Sequence, residues 1–232
     1  MSIADISERK HATALGVDIL SSKLPLVDRR RTPLNSFELA IKRASDIVFT
    51  ATAFIVLLPL LALVAIAIKL DSPGRVIFRQ TRSGLNGKPF HILKFRTMTV
   101  EENGDSVKQA SRFDNRVTRV GSWLRRTSID ELPQLINVLK GEMSIVGPRP
   151  HAVAHDNSFN QVVANYAQRQ RVKPGITGLA QVNGCRGATS TIDSIERRVD
   201  LDLWYIDNWS FRLDLAIMIR TVIEVVRGRN AY

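Results

Sequence analysis

Hydrophobic and polar positions divide the chain into unlike parts. Residues 1–35 show no apolar periodicity and contain the run Arg29, Arg30, Arg31, which predicts a mobile basic tail. From Ile47 to Ile68 the pattern turns apolar: "IVFTATAFIVLLPLLALVAIAI" is 22 residues without a charge. As a helix it would be about 33 Å long, close to the thickness of a bilayer's hydrocarbon core. A soluble core helix of that length would keep a polar face, and a cleavable signal would start nearer the N-terminus with a shorter apolar stretch. With the amphipathic lead-in "SFELAIKRASD", the pattern predicts a membrane helix over 36–70. Pro59 sits near its middle, where it removes one helical hydrogen bond and bends the axis. Basic residues flank both ends, Arg29 to Arg31, Lys42 and Arg43 before it and Lys69, Arg75, Arg79, Arg82 and Lys88 after it. The positive-inside tendency would hold both flanks on the cytoplasmic side. A re-entrant hairpin broken at Pro59 satisfies that, and a single straight span does not.

Beyond the turn "DSPG" the period changes to that of strands. "RVIFRQ" and "FHILKFRTM" read as a hairpin around "SGLNGKP", with Asn86-Gly87 as the turn signal. The "GLNGK" there lacks the spacing of a nucleotide-binding loop. "EENGDSVKQASRFDNR" is a polar loop, and a short helix places Leu132, Leu135, Ile136 and Leu139 on one face. A helical stretch follows near 152–170, then the glycine-rich "VKPGITGLAQVNGCRG". Leu215, Ile219, Val222 and Val226 recur at helical spacing, an amphipathic helix suited to the membrane surface or to the core. The fold class expected is α+β, mostly helical, with a proline-broken membrane helix and amphipathic surface helices.

Composition narrows the partners. Among 232 residues the formal net charge is +11, which asks for an acidic partner: nucleic acid, anionic lipid or a phosphorylated small molecule. Base stacking wants aromatics interleaved with the basic residues, and at 6% aromatic the chain offers few, so nucleic acid is not expected. The single cysteine, Cys185, excludes an internal disulfide and fits a reducing compartment.

Against that basic background, "RRTSIDELPQL" sets Asp130 and Glu131 side by side behind Arg125 and Arg126. Ser128 and Glu131 have the spacing of a capping box, which would explain one acid as a helix start. Guanidinium groups nearby would favour the anionic carboxylate and lower its pKa. Such a carboxylate binds a divalent cation or attacks phosphorus as a nucleophile. Strand alternation puts Lys94 and Arg96 on one face, where both could meet one phosphate, and "GPRP" presents Arg149 rigidly between prolines. The alternative for each is a solvated surface charge. His151 and His155 have the spacing of a helical zinc pair, but Ala152 stands where the metalloprotease signature needs glutamate.

Taken together, "KFRTM" (94–98), "LRRTSIDELPQLINVLKGEMSIVGPRP" (124–150), "KPGITGLAQVNG" (173–184) and "LDLWYIDNWSFRLDL" (201–215) resemble the bacterial sugar transferase family, over about Phe37 to Tyr232. The resemblance implies a monotopic phosphoglycosyl transferase of compact form, with a catalytic domain over 71–232 on the cytoplasmic face of the bacterial inner membrane. It implies transfer of a sugar-1-phosphate from a UDP-sugar to undecaprenyl phosphate with release of UMP, initiating exopolysaccharide or glycoconjugate assembly. Asp130 would be the nucleophile and a ligand of Mg²⁺, supported by Glu131. Arg125 and Arg149 would hold phosphates with Lys94, and Asp202 would match a further functional acid. "HAVAH" and the terminal "GRNAY" resemble members that transfer glucose-1-phosphate. The competing expectation is a membrane-tethered adaptor or scaffold that binds anions without chemistry. Monomer and homodimer are both open.

Overall fold

The computed structural model describes residues 34–99, 114–185 and 191–227. The expected tail lies outside them except for its last two residues, and so does the polar loop except for 114–116. Helix α1 spans Ser36–Asp71 and starts at a capping box. Asn35 Oδ1 accepts from the Glu38 amide at 2.8 Å, and Glu38 Oε2 accepts from the Asn35 amide at 2.9 Å. The helix runs without interruption through Pro59, so the expected break is at most a bend in a continuous helix.

Both ends of α1 dock on the rest of the molecule, by opposite means. Near its start Lys42 Nζ donates to Asp214 Oδ2 at 2.7 Å, the Tyr205 hydroxyl at 3.1 Å and the Val146 carbonyl at 3.0 Å. One turn on, Asp46 Oδ1 accepts from the Ser144 hydroxyl and the Ile145 amide, each at 3.0 Å. Near its end Val64 and Ile68 pack against Phe95 and Leu124 in a dry cluster. Between these docks the apolar surface is bare: Ile55 is 72% exposed, Val56 70% and Leu63 65%.

The hairpin forms as expected. Strands β1 (Ile77–Ser83) and β2 (Pro89–Phe95) are antiparallel, with Ile77 opposite Phe95 and Ser83 opposite Pro89. Asn86 and Gly87 take positive φ, 54° and 73°, which asparagine and glycine tolerate in a tight turn. Helix α2 (Arg119–Thr127) follows, then a single 3₁₀ turn (Ile129–Glu131) and helix α3 (Gln134–Lys140). The expected apolar face of α3 is rotated. Gln134, Asn137 and Val138 are its most buried residues, while Leu139 is exposed. The reason is Asn137, which accepts the Leu93 amide at 3.0 Å and donates to the His91 carbonyl at 2.8 Å, completing the open edge of β2.

Strand β3 (Ser144–Val146) pairs in parallel with β4 (Gly175–Thr177). The single helical stretch expected near 152–170 is two elements, α4 (Val153–Val162) and a 3₁₀ segment (Tyr166–Arg171). After α5 (Leu179–Val182) come α6 (Ile192–Asp207) and α7 (Phe211–Arg227). On α7, Asp214 and Ile217 face inward while Ile219 and Val222 are exposed. Two residues of that apolar stripe thus face away from the core.

Replacing Asn137 with leucine leaves the Leu93 amide and His91 carbonyl without partners. It is expected to cost about 2–3 kcal/mol, a fall of roughly 5–10 °C in Tm by thermal unfolding in detergent. Leu139→Ala, at an exposed position of the same helix, is expected to shift Tm little.

Candidate active site

The two neighbouring acids stand on the 3₁₀ turn between α2 and α3, with opposite surroundings. α2 ends at Ser128, which adopts a left-handed backbone (φ 60°, ψ 16°), and its side chain makes no cap bond to the turn. The expected capping box is therefore not formed. Glu131 turns inward, where Oε1 accepts from Lys94 Nζ at 2.8 Å and from Arg149 Nη2 at 2.6 Å. Oε2 accepts from Arg149 Nη1 at 3.1 Å, which makes the arginine contact bidentate. Three separate pieces of chain, β2, the 3₁₀ turn and the segment after β3, meet at this one carboxylate.

Their electrostatics diverge accordingly. Burial alone would raise the Glu131 pKa, but the charges and hydrogen bonds of Arg149 and Lys94 hold it well below the usual carboxylate range. Asp130 goes the other way. Burial lifts it to about 6 and the charge of Glu131 adds to this, against Lys94, Arg149 and Arg125. The lowered pKa expected for this pair thus falls on Glu131 and not on Asp130, because the cations are hydrogen-bonded to the former. Among the described residues the Asp130 carboxylate accepts no hydrogen bond. It is a free, part-buried carboxylate, more basic than an ordinary aspartate and still largely ionised at neutral pH.

The other candidate residues separate into two groups. Arg125, in the last turn of α2, acts on Asp130 through its charge, and its guanidinium has no hydrogen-bond partner among the described residues. With Lys94 and Arg149 it gives the acids a cationic surround. Arg96 does not join them: its guanidinium donates to the Ser72 carbonyl at 2.6 Å, the Pro73 carbonyl at 2.7 Å and the Ser72 hydroxyl at 2.9 Å. It ties down the chain leaving α1, apart from the cations around the acids where strand alternation had led it to be expected.

Asp202 is 2% exposed and bonded to Arg169 Nε at 2.8 Å. Its carboxylate is engaged in that buried pair. Arg169 Nη2 in turn donates to the Arg149 carbonyl at 2.8 Å, so Asp202 positions the arginine that grips Glu131. Arg169 also donates to the Tyr166 hydroxyl at 3.0 Å. His151 sits in the same network, with Nε2 accepting from Arg198 at 2.9 Å and Nδ1 beside the Tyr166 hydroxyl. Burial and the surrounding arginines push its pKa well below the usual histidine value, so the ring is neutral. Because Ala152 caps α4, His151 and His155 do not share a helical face as a zinc pair would. Sequence reading missed Arg169, Tyr166 and Arg198. The available signal was Asp202 itself, an acid inside the apolar "LDLWYI", since a buried acid there demands a cation.

A divalent cation is compatible with these donors. Magnesium commonly binds through one or two carboxylates plus substrate phosphates, and Asp130 offers oxygens that no protein donor occupies. No group of three or more metal-ligating side chains occurs among the described residues.

Known proteins match this chain closely. The family model described as bacterial sugar transferase matches residues 37–228. A UDP-glucose:undecaprenyl-phosphate glucose-1-phosphate transferase of Escherichia coli K12 is 51% identical over 221 residues, 93% of this chain and 48% of that protein. One of the same name from Caulobacter vibrioides is 54% identical over 191 residues, 82% of this chain and 72% of that protein. An exopolysaccharide production protein PSS of Rhizobium leguminosarum bv. phaseoli is 46% identical over 198 residues, 83% of this chain and 99% of that protein. The chain spans about half the length of several of the curated relatives it matches.

Truncating Arg169 to methionine strands Asp202 as an unpaired buried charge and is expected to cost about 3–5 kcal/mol in chemical denaturation. Adding Asp202→Leu to that variant should recover most of the loss, while leaving Arg149 without its backbone anchor.

Proposed function

The chain belongs to the bacterial sugar transferase family, and on that premise we propose that it moves glucose-1-phosphate from UDP-glucose to undecaprenyl phosphate through a covalent intermediate on Asp130. The observation that carries this reading is the unequal pair: Glu131 is saturated by Lys94 and Arg149, while Asp130 beside it is left without a hydrogen bond. A structural carboxylate buried to this degree would have partners, whereas a nucleophile must keep an oxygen available.

In the first half-reaction an Asp130 oxygen attacks the sugar-bearing β-phosphorus. The bond from that phosphorus to the bridging oxygen breaks, and UMP leaves with the electron pair. In the second, a phosphate oxygen of the lipid acceptor attacks the same phosphorus, the bond to Asp130 breaks, and the carboxylate is restored beside a lipid-diphosphate-sugar. Arg125, Arg149 and Lys94 supply the positive charge that lets a carboxylate approach an anionic diphosphate. Magnesium held through Asp130 and the substrate phosphates would add charge neutralisation that three cations do not complete. The glucose assignment rests on the names of the relatives, and the polyprenyl acceptor agrees with an active site carried by a membrane helix.

We further propose that α1 dips into the cytoplasmic leaflet of the inner membrane and returns. Supporting this, Lys42 and Asp46 at its start and Val64 and Ile68 at its end all pack on the same globular unit, with the bare apolar surface between them. A helix held at both ends on one unit returns to the leaflet it entered only by bending between those docks, and Pro59 lies there. Exposed Trp123 on α2 and the outward stripe of α7 suit the interface beside it.

Purified protein with Mg²⁺, UDP-glucose and undecaprenyl phosphate is expected to release UMP, and Asp130→Asn to lower that rate by at least about 10³-fold. Without lipid, mass spectrometry should find a hexose-phosphate adduct on Asp130. Release only from another UDP-sugar would correct the donor. Anion binding with no release from any donor would point to the adaptor instead. For topology, Ser36→Cys and Arg75→Cys in a Cys185→Ser background should both resist an impermeant maleimide until the inner membrane is opened. Labelling of only one from outside would establish a span.

A further inference from the structure

A second cationic cluster lies at the opposite end of α3 from the acids. α3 closes at Gly141, whose left-handed φ of +83° suits a residue without a side chain. Arg43 of α1 reaches across to cap this end, with Nη1 donating to the Val138 carbonyl at 2.6 Å and Nη2 to the Leu139 carbonyl at 2.8 Å. Where a side chain on Gly141 would begin, the nearest atoms are Arg43 Nη2 at 3.5 Å and Lys173 Nζ at 3.6 Å. Two cations therefore meet over one glycine, within about 7 Å of each other. Among the described residues the Lys173 ammonium makes no hydrogen bond or ion pair. Nearby Asp46 acts on Lys173 through its charge, while its Oδ1 accepts from Ser144 and Ile145. Burial and the charge of Arg43 depress the Lys173 pKa, the charge of Asp46 opposes them, and Lys42 adds to the depression.

The place of the cluster indicates which anion it takes. Arg43 precedes Ile47 and Val48, the exposed beginning of the apolar run, by about one helical turn. Leu139, exposed in the last turn of α3, lies beside it, and Lys140 adds charge to the same turn. Cations at the border between a polar domain and a bare apolar helix stand at the level of lipid headgroups. All of α3, about 10 Å of helix, separates this cluster from the turn bearing Asp130. A phosphate held here is therefore not the one that reacts.

We propose that Arg43 and Lys173, around Gly141, form a binding site for the phosphate of a bulk anionic phospholipid, separate from the reaction centre. The phosphate oxygens approach over Gly141 and take hydrogen bonds from the Lys173 ammonium and the remaining N–H groups of Arg43. One headgroup then bridges α1 and the "KPG" segment at Lys173, setting how deeply the domain sits in the membrane.

The test reads lipid binding without any UDP-sugar, so it stands or falls separately from the proposed reaction. Full-length protein stripped in neutral detergent is mixed with phosphatidylglycerol or with phosphatidylcholine, and retained lipid is counted by native mass spectrometry. Wild type should retain phosphatidylglycerol in preference, Lys173→Gln should weaken that retention about tenfold or more, and Lys173→Arg should keep it. Equal retention by wild type and Lys173→Gln would overturn the site. Full displacement by millimolar inorganic phosphate would make it a free-phosphate site. A marked preference for undecaprenyl phosphate over phosphatidylglycerol would make it part of the acceptor path, and either result would end the phospholipid assignment.

Discussion

Glu131 is the contact on which the active site depends. A carboxylate taken out of water is costly unless its charge is matched and its oxygens are bonded, and here Lys94 and Arg149 do both. Because the lysine comes from the hairpin and the arginine from the segment after β3, satisfying one charge fixes three parts of the chain against one another. The neighbour, Asp130, inherits a defined position without inheriting the partners. Adjacent residues on a tight turn point in different directions, so one acid serves as the anchor while the other keeps its oxygens free of protein donors.

A second layer of buried charge supports the first. Asp202 holds Arg169, which holds the backbone of Arg149, and His151 and Tyr166 fill the space around that arginine with neutral donors and acceptors. The Arg149 side chain thus meets Glu131 from a backbone that is itself restrained. Such restraint favours catalysis, since a group fixed in place loses no further freedom when substrate arrives.

The membrane helix belongs to the catalytic unit as much as to the bilayer. Lys42 and Asp46 are buried polar residues that would be out of place in a simple anchor, yet each is satisfied by the domain it meets. Through Arg43, α1 also caps α3, whose other end adjoins the turn bearing the two acids. The start of the apolar helix and the turn bearing the acids are thereby joined through one short element.

The sequence by itself determined whatever depends on local pattern. The uncharged run 47–68, the Asn86-Gly87 turn and the adjacency of Asp130 and Glu131 were legible, because hydrophobic length, turn chemistry and neighbouring charges need no distant partner. The four motifs that carry the family resemblance were legible for the same reason. The tertiary structure alone decided which acid is locked and which is free, since that depends on Lys94 and Arg149 arriving from 37 and 18 residues away. It moved Arg96 to the end of α1, buried Asp202 against Arg169, and turned α3 so that Asn137 faces the strand edge. Each of these is a polar group whose partner is remote in sequence. Periodicity reports which face an apolar residue prefers, but the partner of a buried charge is chosen only when the chain has folded around it.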